Sequence, residues 1–252
     1  MRTALISDMH GNAVAFEAVI ADFEREPVDQ VVCLGDAVQG GAQPAEVVAG
    51  LRRLECPVVL GNADAFVLDA EAGEEETTER LLAVREWTRA QLGAHGLAYL
   101  ETFRPTVTAT LGGNRRLLAF HGSPTSYDDQ ILPHLEEDEF RRLLGPPRAD
   151  ILTGGHVHLQ FLRRYGASIF VNPGSVGLSY DHVQPDDDVR FDSFAAYGRI
   201  HVGDEGRIEI AFRRVPFERS AVVAAVEESG MPHASDLAAQ WGRESNDRPT
   251  QS

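Results

Sequence analysis

The amino-acid sequence predicts an α/β fold in which two β-sheets pack together and helices cover each sheet. The first 60 residues alternate short apolar runs with amphipathic segments, as in a parallel sheet joined by right-handed crossovers. After residue 105, strand-like runs instead follow one another with turns between them, which indicates a second sheet. The chain has 252 residues and is 43% hydrophobic, enough for one sizeable core.

The N-terminal part predicts strand, loop and helix in repetition. A first helix is expected at 12–25, because Asn12 can cap its start and Pro27 interrupts the pattern that follows. A second helix is expected at 44–54, with Pro44 near its first turn. Short apolar runs typical of buried parallel strands separate these helices, at 2–6, 30–34 and 57–60.

The segment 64–104 changes character, because it is charged and has a helical period. We interpret it as a helical cap beside the functional site. We expect a single domain over residues 1–228 and a polar, partly disordered tail at 229–252. The remaining elements expected in that domain are strands at 106–111, 115–120, 149–153, 160–164, 168–172, 194–202 and 207–214, and helices at 135–144 and 217–228.

Seven side chains that can bind metal stand beside glycines or at the ends of apolar runs. Three of the stretches that carry them follow predicted buried strands, and α/β sheets place their sites at the carboxyl ends of such strands. Five separate stretches could therefore deliver ligands to one place, which is the pattern of a two-metal hydrolase. The seven residues are Asp8, His10, Asp36, Asn62, His121, His156 and His158.

Two pairs among these ligands share a spacing of two residues. In an extended segment, Asp8 and His10 would point to the same side, so one short loop could give two ligands to one ion. His156 and His158 repeat this spacing late in the chain. The Asp8 loop and the His156–His158 loop are therefore expected to meet in the fold.

The order of the motifs resembles that of the calcineurin-like metallophosphoesterases, above all their small bacterial and archaeal phosphodiesterase branch. The motifs are Asp-x-His at 8–10, Gly-Asp at 35–36, Gly-Asn-x-Asp at 61–64, His-Gly at 121–122, Gly-His-x-His at 155–158 and Asn-Pro-Gly-Ser at 172–175. The resemblance covers the chain from residue 1 to about residue 215. It implies a four-layer α/β/β/α sandwich of two mixed sheets.

The resemblance also implies two divalent metal ions that share Asp36 as a bridging carboxylate. The first metal would be bound by Asp8, His10, Asp36 and His158. The second would be bound by Asp36, Asn62, His121 and His156. Asp36, Asn62 and His121 are interpreted as catalytic residues as well. Oxygen and imidazole ligands without thiolate favour manganese or iron, with nickel, cobalt or zinc as alternatives, and manganese is expected.

The function implied is a phosphodiesterase in which a metal-activated water attacks a small soluble phosphoester. No protein nucleophile is needed, and Ser123 and Ser175 are interpreted as loop residues that shape the site. The alternatives are a diadenosine-polyphosphate hydrolase or protein phosphatase, a non-catalytic scaffold of the same fold, and a metal sensor. The scaffold alternative is disfavoured because such proteins typically lose metal ligands, whereas all seven positions here keep side chains that can bind metal.

Ala63 departs from the family pattern, since many relatives have a histidine there that protonates the leaving group. The absence of this histidine also counts against the diadenosine-polyphosphate hydrolase and protein phosphatase alternatives. Asp64 is interpreted as a helix N-cap or a surface carboxylate. His95, Arg85 and Arg89 are candidate acids from the cap, with a role as ordinary solvated helix residues as the alternative to each.

The composition of the chain limits the kinds of molecule that the protein is expected to bind. The formal net charge is -16, from 39 acidic and 23 basic residues, and this argues against bulk nucleic-acid binding. Cys33 and Cys56 lie in apolar runs, so reduced core thiols are expected. The N-terminus leads straight into a strand and no run reaches the ~20 apolar residues of a membrane span. A soluble cytoplasmic protein without membrane contact is therefore expected, and a homo-oligomer is left open.

Overall fold

The computed structural model describes residues 1–69, 78–180, 184 and 189–242. These residues form two mixed sheets flanked by helices, so the predicted fold class is confirmed. In chain order the strands are β1 (Arg2–Ile6), β2 (Gln30–Cys33), β3 (Val107–Thr110), β4 (Arg116–Ala119), β5 (Ile151–Thr153), β6 (Gln160–Tyr165), β7 (Ser168–Pro173), β8 (Phe194–Val202) and β9 (Ile208–Pro216). The helices are α1 (Ala13–Arg25), α2 (Pro44–Leu54), α3 (Asn62–Leu68), α4 (Glu79–Leu100), α5 (Glu137–Leu144), α6 (Arg219–Glu228) and α7 (Ala234–Gly242).

The two sheets combine parallel and antiparallel pairs. The first has the strand order β2-β1-β8-β9, in which only β1 and β2 run parallel. The second has the order β3-β4-β5-β7-β6, with a parallel centre of β4, β5 and β7 and antiparallel edges. The parallel strands of the two sheets place several strand ends on one side of the molecule, where polar loops follow them.

Alternation along the strands separates the core into layers. Leu5 of β1 packs between the two sheets, whereas Ala4 and Ile6 face the helices of the first sheet. On the far side, Phe140 of α5 packs edge-to-face against Phe170 of β7 with ring centroids 5.8 Å apart. Both faces of the central strands are therefore buried, which explains why the sequence shows continuous apolar runs there.

The run at 57–60 is not a strand, contrary to the sequence prediction. Val58 and Val59 form only isolated bridges, with Cys33 and Arg104 respectively. Pro57 has no N–H to extend the ladder, and the chain enters α3 at Asn62, so no longer pairing can develop.

The predicted polar, partly disordered tail at 229–252 contains a helix in its first part. Residues 234–242 form α7, and Trp241 is 2% exposed between Phe191 and Phe217, with ring centroids 4.9 and 5.8 Å away. Only Leu237, Ala238 and Trp241 of this helix are buried. Three apolar residues in a polar segment are too few to give a clear helical pattern in the sequence. Residues 243–252 lie outside the described residues.

Most of the described part of segment 64–104 is helical. It contains most of α3 and all of α4, while residues 70–77 lie outside the described residues. Helix α4 is interrupted at Gly93, which has a φ of 57°. Glycine adopts positive φ values more easily than other residues. The C-terminal Leu100 of α4 packs in the main core, whereas Val84 packs with α6 and α7. A role as a cap over the site stays a prediction.

The described residues include no helix that is both long and apolar enough to cross a membrane. Cys33 and Cys56 are free thiols, as predicted, and burial raises the pKa of Cys56 to about 12.

A buried polar pair joins α1 to the first sheet and predicts a stability effect. The Tyr197 hydroxyl donates to Asp22 Oδ2 at 2.7 Å. We expect Tyr197→Phe to lower the free energy of unfolding by about 0.5–1.5 kcal/mol, the usual net value of one hydrogen bond. Urea unfolding measures the change. Tyr99→Phe is the matched control, because the Tyr99 hydroxyl makes no hydrogen bond among the described residues, and an equal loss in both variants would contradict the assignment.

Candidate metal centre

The seven predicted ligands converge at one end of the two sheets. Their loops follow β1, β2, β4 and β5, and one ligand comes from the first residue of α3. All of these strand ends are carboxyl ends, which is the expected place for a site in an α/β sheet. The predicted meeting of the first and last ligand loops is confirmed, because Asp8 Oδ1 lies 3.4 Å from His158 Nε2.

The first group of ligand atoms belongs to Asp8, His10 and His158. Asp8 Oδ1 lies 3.9 Å from His10 Nε2, and the two Nε2 atoms of the histidines are only 3.2 Å apart. Asp8 is fully buried, and its Oδ1 has no hydrogen-bond partner among the described residues. A buried carboxylate oxygen in that state is costly unless a cation approaches it.

The second group belongs to Asp36, His121 and His156, whose ligand atoms lie within 4.8 Å of one another. His121 Nε2 is 3.2 Å from Asp36 Oδ2 and 3.0 Å from Asn62 Oδ1. The Asn62 amide oxygen therefore joins this group, as the sequence predicted.

Asp36 lies between the two groups. Its Oδ2 is 3.6 Å from His10 Nε2 in the first group and 3.2 Å from His121 Nε2 in the second. Its Oδ1 accepts a hydrogen bond of 2.8 Å from the backbone N–H of Ala63. One oxygen thus faces both groups while the other is fixed by the start of α3, which is the geometry that a bridging ligand needs.

Backbone carbonyls orient three of the four imidazoles. His10 Nδ1 lies 2.8 Å from Gln39 O, His121 Nδ1 2.8 Å from Leu34 O, and His158 Nδ1 2.8 Å from Leu178 O. Because a carbonyl only accepts, each Nδ1 must carry the proton and donate it. Nε2 of each ring is then directed into the centre and can bind a metal ion once it carries no proton, as in metal-binding histidines.

Opposing charges shift the pKa values of these groups. Burial opposes ionisation of Asp8, but His158 and His121 outweigh burial and hold the pKa of Asp8 below its ordinary value. Burial also opposes the charge of Asp36, yet His121 and His10 hold the pKa of Asp36 far below its ordinary range. In return, Asp36 and Asp8 overcome burial and raise the pKa of His121 to about 10.

The backbone at the ligands is unusual. Five of the ligands have positive φ values, namely Asp8 (56°), His10 (45°), Asp36 (53°), His156 (70°) and His158 (54°). The expectation that the paired ligands sit in extended segments is therefore wrong. Residues with positive φ turn the backbone sharply just after each strand. These turns direct the ligand side chains of different loops towards one another. Such conformations cost about 1–3 kcal/mol each and concentrate at functional sites.

The Asn-Pro-Gly-Ser motif at 172–175 supports the ligand loops. The Asn172 side chain donates to Gly155 O at 2.7 Å, beside the paired histidines. The Ser175 hydroxyl donates to Asp8 O at 2.8 Å and accepts from Leu178 N–H at 2.8 Å. Both side chains hold the backbone of ligand loops, so the prediction that Ser175 shapes the site is confirmed.

Asp64 has neither of the roles predicted for it. Its side chain is fully buried, and Oδ1 accepts from the backbone N–H groups of Ala37 and Val38 at 2.9 and 3.3 Å. These donors directly follow Asp36, so Asp64 fixes the loop that carries the central ligand. Burial, and next the charge of Asp36, raise the pKa of Asp64 to about 7.

The three candidate acids from the predicted cap are not placed for that role. Arg85 donates through Nε to Phe66 O at 2.6 Å, and Arg89 donates to Val67 O at 2.6 Å. Both arginines therefore bind the last turn of α3, where carbonyls lack partners within the helix. His95 is exposed on α4, and its carbonyl accepts from Arg52 of α2 at 2.8 Å. None of these three contacts involves a ligand of the candidate centre.

The side chains of each group could hold a divalent metal ion. Each of the two groups combines carboxylate oxygen with imidazole nitrogen, Asp36 contacts both, and thiolate is absent from both. This donor set suits divalent first-row metals. It also contains an orphaned buried oxygen on Asp8 and imidazoles fixed with Nε2 inward.

Fold and site together define an α/β sandwich with two adjacent metal-competent groups at the carboxyl ends of its strands. The chain matches the calcineurin-like phosphoesterase superfamily domain over residues 1–190, and it belongs to that superfamily. The resemblance deduced from the motifs is thereby confirmed.

Similar proteins extend over nearly the whole chain. The Methanocaldococcus jannaschii protein MJ0912 is 25% identical over 246 residues, which cover 91% of this chain and 93% of the archaeal one. A metallophosphoesterase from Sphaerobacter thermophilus has a TM-score of 0.73 and 25% identity, covering 96% of this chain and 98% of that one. The protein PH1004 from Pyrococcus horikoshii has a TM-score of 0.77 at 20% identity, covering 94% and 97%, and shows the same fold.

Proposed function

We propose that this protein is a phosphodiesterase that hydrolyses small phosphodiesters with two divalent ions, manganese being the metal of choice. The observation that carries the proposal is the pair of Nε2 atoms of His10 and His158, 3.2 Å apart. Both rings donate through Nδ1 to carbonyls, so two lone pairs face each other unless a proton or a metal cation lies between them. Asp8 and Asp36 supply the negative charge that favours a cation there.

Two bound divalent ions would neutralise phosphoryl oxygens and supply a water acidic enough to attack at neutral pH. The protein's own residues position the reaction. Asp36 fixes the spacing of the two groups, since its Oδ2 faces both and its Oδ1 is held by Ala63 N–H. The Asn62 side chain borders the second group and α3, so its amide can orient a phosphoryl oxygen at that side.

The direct test is hydrolysis of bis(4-nitrophenyl) phosphate by purified protein loaded with manganese. We expect release of nitrophenol that chelation abolishes and manganese restores. Protein that binds the ions but releases none would favour the scaffold or sensor alternatives.

The first prediction from this proposal is stoichiometric. Elemental analysis after manganese loading should find about two ions per chain, because seven ligands form two groups that share Asp36. Asp8→Asn should reduce the first site more than the second, since Asp8 belongs to only one group. A single ion per fully loaded chain would contradict the two-metal assignment.

The second prediction concerns pH. In the metal-free protein Asp36 and Asp8 overcome burial and raise the pKa of His121 to about 10, and Asp8 raises the pKa of His158 above its ordinary value, so protons compete with a metal ion for these two rings. A metal ion must displace these protons from Nε2, and its affinity should therefore rise as the pH increases from about 6.5 towards 10. Titration calorimetry in buffers of different ionisation enthalpy measures the protons released. Binding without proton release would show that these nitrogens are not ligands.

A further inference from the structure

A cavity of about 320 Å³ begins at the metal-ligand candidate His158 and runs along the ends of β6, β8 and β9. Its volume lies at the lower end of small-molecule sites, which are ~300–1,000 Å³. The residues that line it are His158, Leu159, Gln160, Ser179, Tyr180, Asp192, Phe194, Ala196 and Arg214. Because His158 belongs to both, a substrate held at the centre could extend into this cavity.

The cavity has aromatic walls next to the centre. The Tyr180 ring lies 5.7 Å from the His158 ring, in an edge-to-face arrangement. Phe194 stands on β8 two residues before Ala196, which pairs directly with Arg214 on β9. The side chains of these three residues therefore line the same face of the sheet, and that face borders the cavity.

Arg214 is held in a fixed position. Its guanidinium lies over the Phe194 ring, 4.8 Å from the centroid, and its Nε donates to Gln160 Oε1 at 3.0 Å. Gln160 is itself anchored, because its Nε2 donates to Tyr197 O and Arg213 O at 3.2 and 2.9 Å. The terminal nitrogens of Arg214 make no hydrogen bond among the described residues, so a flat group of donors remains for a ligand.

The charges of the walls distinguish between classes of ligand. Arg214 is positive and Asp192, which lines the same cavity, is negative, so these two side chains give the walls no excess positive charge to attract a second anionic group. A neutral planar heterocycle needs no such excess. Its faces can stack on aromatic rings and on a guanidinium, and its edges can accept from Arg214.

We propose that Phe194, Tyr180 and Arg214 form a specificity subsite for a planar heteroaromatic group, such as a nucleobase, attached through a sugar to the phosphate at the metal centre. This inference rests on the proposed phosphodiesterase function and names the class of its substrate.

The test compares adenosine 5′-monophosphate with ribose 5-phosphate, which has the same sugar phosphate and no base. Both are phosphomonoesters, the product type of a phosphodiesterase, and calorimetry on the manganese-loaded protein measures their binding. Wild-type protein should bind the nucleotide at least about 5-fold more tightly, since stacking and polar contacts to one base contribute ~1–3 kcal/mol. Phe194→Leu and Arg214→Gln should each reduce this preference.

Two matched variants control for the substitutions. Phe212→Leu changes a partly buried phenylalanine on β9 that packs between the sheets, and Arg164→Gln changes an exposed arginine on β6 that donates to Gly166 O. Neither residue lines the cavity, and both variants should keep the wild-type preference. If Phe194→Leu fails to fold, Arg214→Gln still provides the test, because Arg214 is exposed.

The outcomes separate the two proposals. Failure to hydrolyse bis(4-nitrophenyl) phosphate would defeat the proposed function. Hydrolysis together with equal binding of the nucleotide and of ribose 5-phosphate would defeat the subsite alone. A preference that survives both cavity substitutions would also overturn it, because the base would then be bound elsewhere.

Discussion

Asp36→Asn is expected to reduce kcat/KM for bis(4-nitrophenyl) phosphate by at least about 10²-fold. The substitution keeps the shape of the side chain and an oxygen that can accept from Ala63 N–H. It removes the negative charge from an oxygen that faces both ligand groups, 3.6 Å from His10 Nε2 and 3.2 Å from His121 Nε2. Loss of a charge partner in a buried site costs about 3–5 kcal/mol, and the first consequence should be weaker retention of the ions.

Metal content and activity must be measured on the same samples. Asp22→Asn is the matched control, since Asp22 is also a buried carboxylate but binds Tyr197 and Arg213 far from the centre. That variant should lose stability and keep both ions and its turnover. If Asp36→Asn retained two ions and near-wild-type turnover, Asp36 would not be the shared ligand.

The sequence predicted the ligand positions because local signals mark them. Each ligand loop follows an apolar run or a glycine, and strands of an α/β sheet deliver such loops to one edge. The close approach of the loops also has a sequence signal in the glycines. A Cβ at Gly61 would collide with the Asp36 carboxylate, so Gly-Asn at 61–62 is required for the second group to reach Asp36.

The features missed by sequence analysis depend on long-range contacts. Asp64 binds Ala37 and Val38, 27 and 26 residues away, and no local pattern reveals that pairing. Arg214 and Tyr180 lie far apart in the chain, and only the meeting of β9 with the loop after β7 places them around one cavity. Helix α7 was missed for a different reason, because its stability comes from Trp241 packing against Phe191 and not from its composition.

The left-handed ligands were also beyond sequence analysis. Asp and His tolerate positive φ better than most residues, but the same types occur widely with ordinary backbone. Only the fold shows that Asp8, Asp36 and His158 share this conformation. The surrounding hydrogen bonds stabilise it, including Asp8 N–H to Gly35 O and His10 N–H to Asp36 O, both at 2.9 Å.

Ala63→His is expected to increase activity selectively on diesters with poor leaving groups. Ala63 lies in the first turn of α3, is partly buried, and donates its N–H to Asp36 Oδ1. An imidazole there would stand at the mouth of the centre, beside Asn62. Two buried acceptors, Asp64 Oδ2 in α3 and Gln39 Oε1 in the loop after β2, have no hydrogen-bond partner among the described residues, so either could orient the new ring.

The size and the direction of the effect follow from general acid catalysis. A well-placed acid contributes about 10²- to 10⁴-fold when the leaving oxygen needs a proton, and almost nothing for 4-nitrophenolate. The imidazole must be protonated to act, so the gain should be largest below its pKa of about 6.5 and fade at higher pH.

The measurement is a series of aryl methyl phosphates whose leaving groups increase in pKa, compared between wild type and Ala63→His at pH 6 and pH 8. Wild type should slow steeply along the series, and the variant should slow less, most clearly at pH 6. Ala63→Gln is the control, because glutamine adds a polar side chain of similar reach that does not titrate.

Equal slopes for all three proteins would mean that position 63 does not face the leaving group, or that another residue already protonates it. A flattened slope in the glutamine variant would assign the effect to hydrogen bonding and not to proton transfer. A slope flattened only by histidine, and only at low pH, would show that this centre has the geometry for general acid catalysis and lacks only the acid.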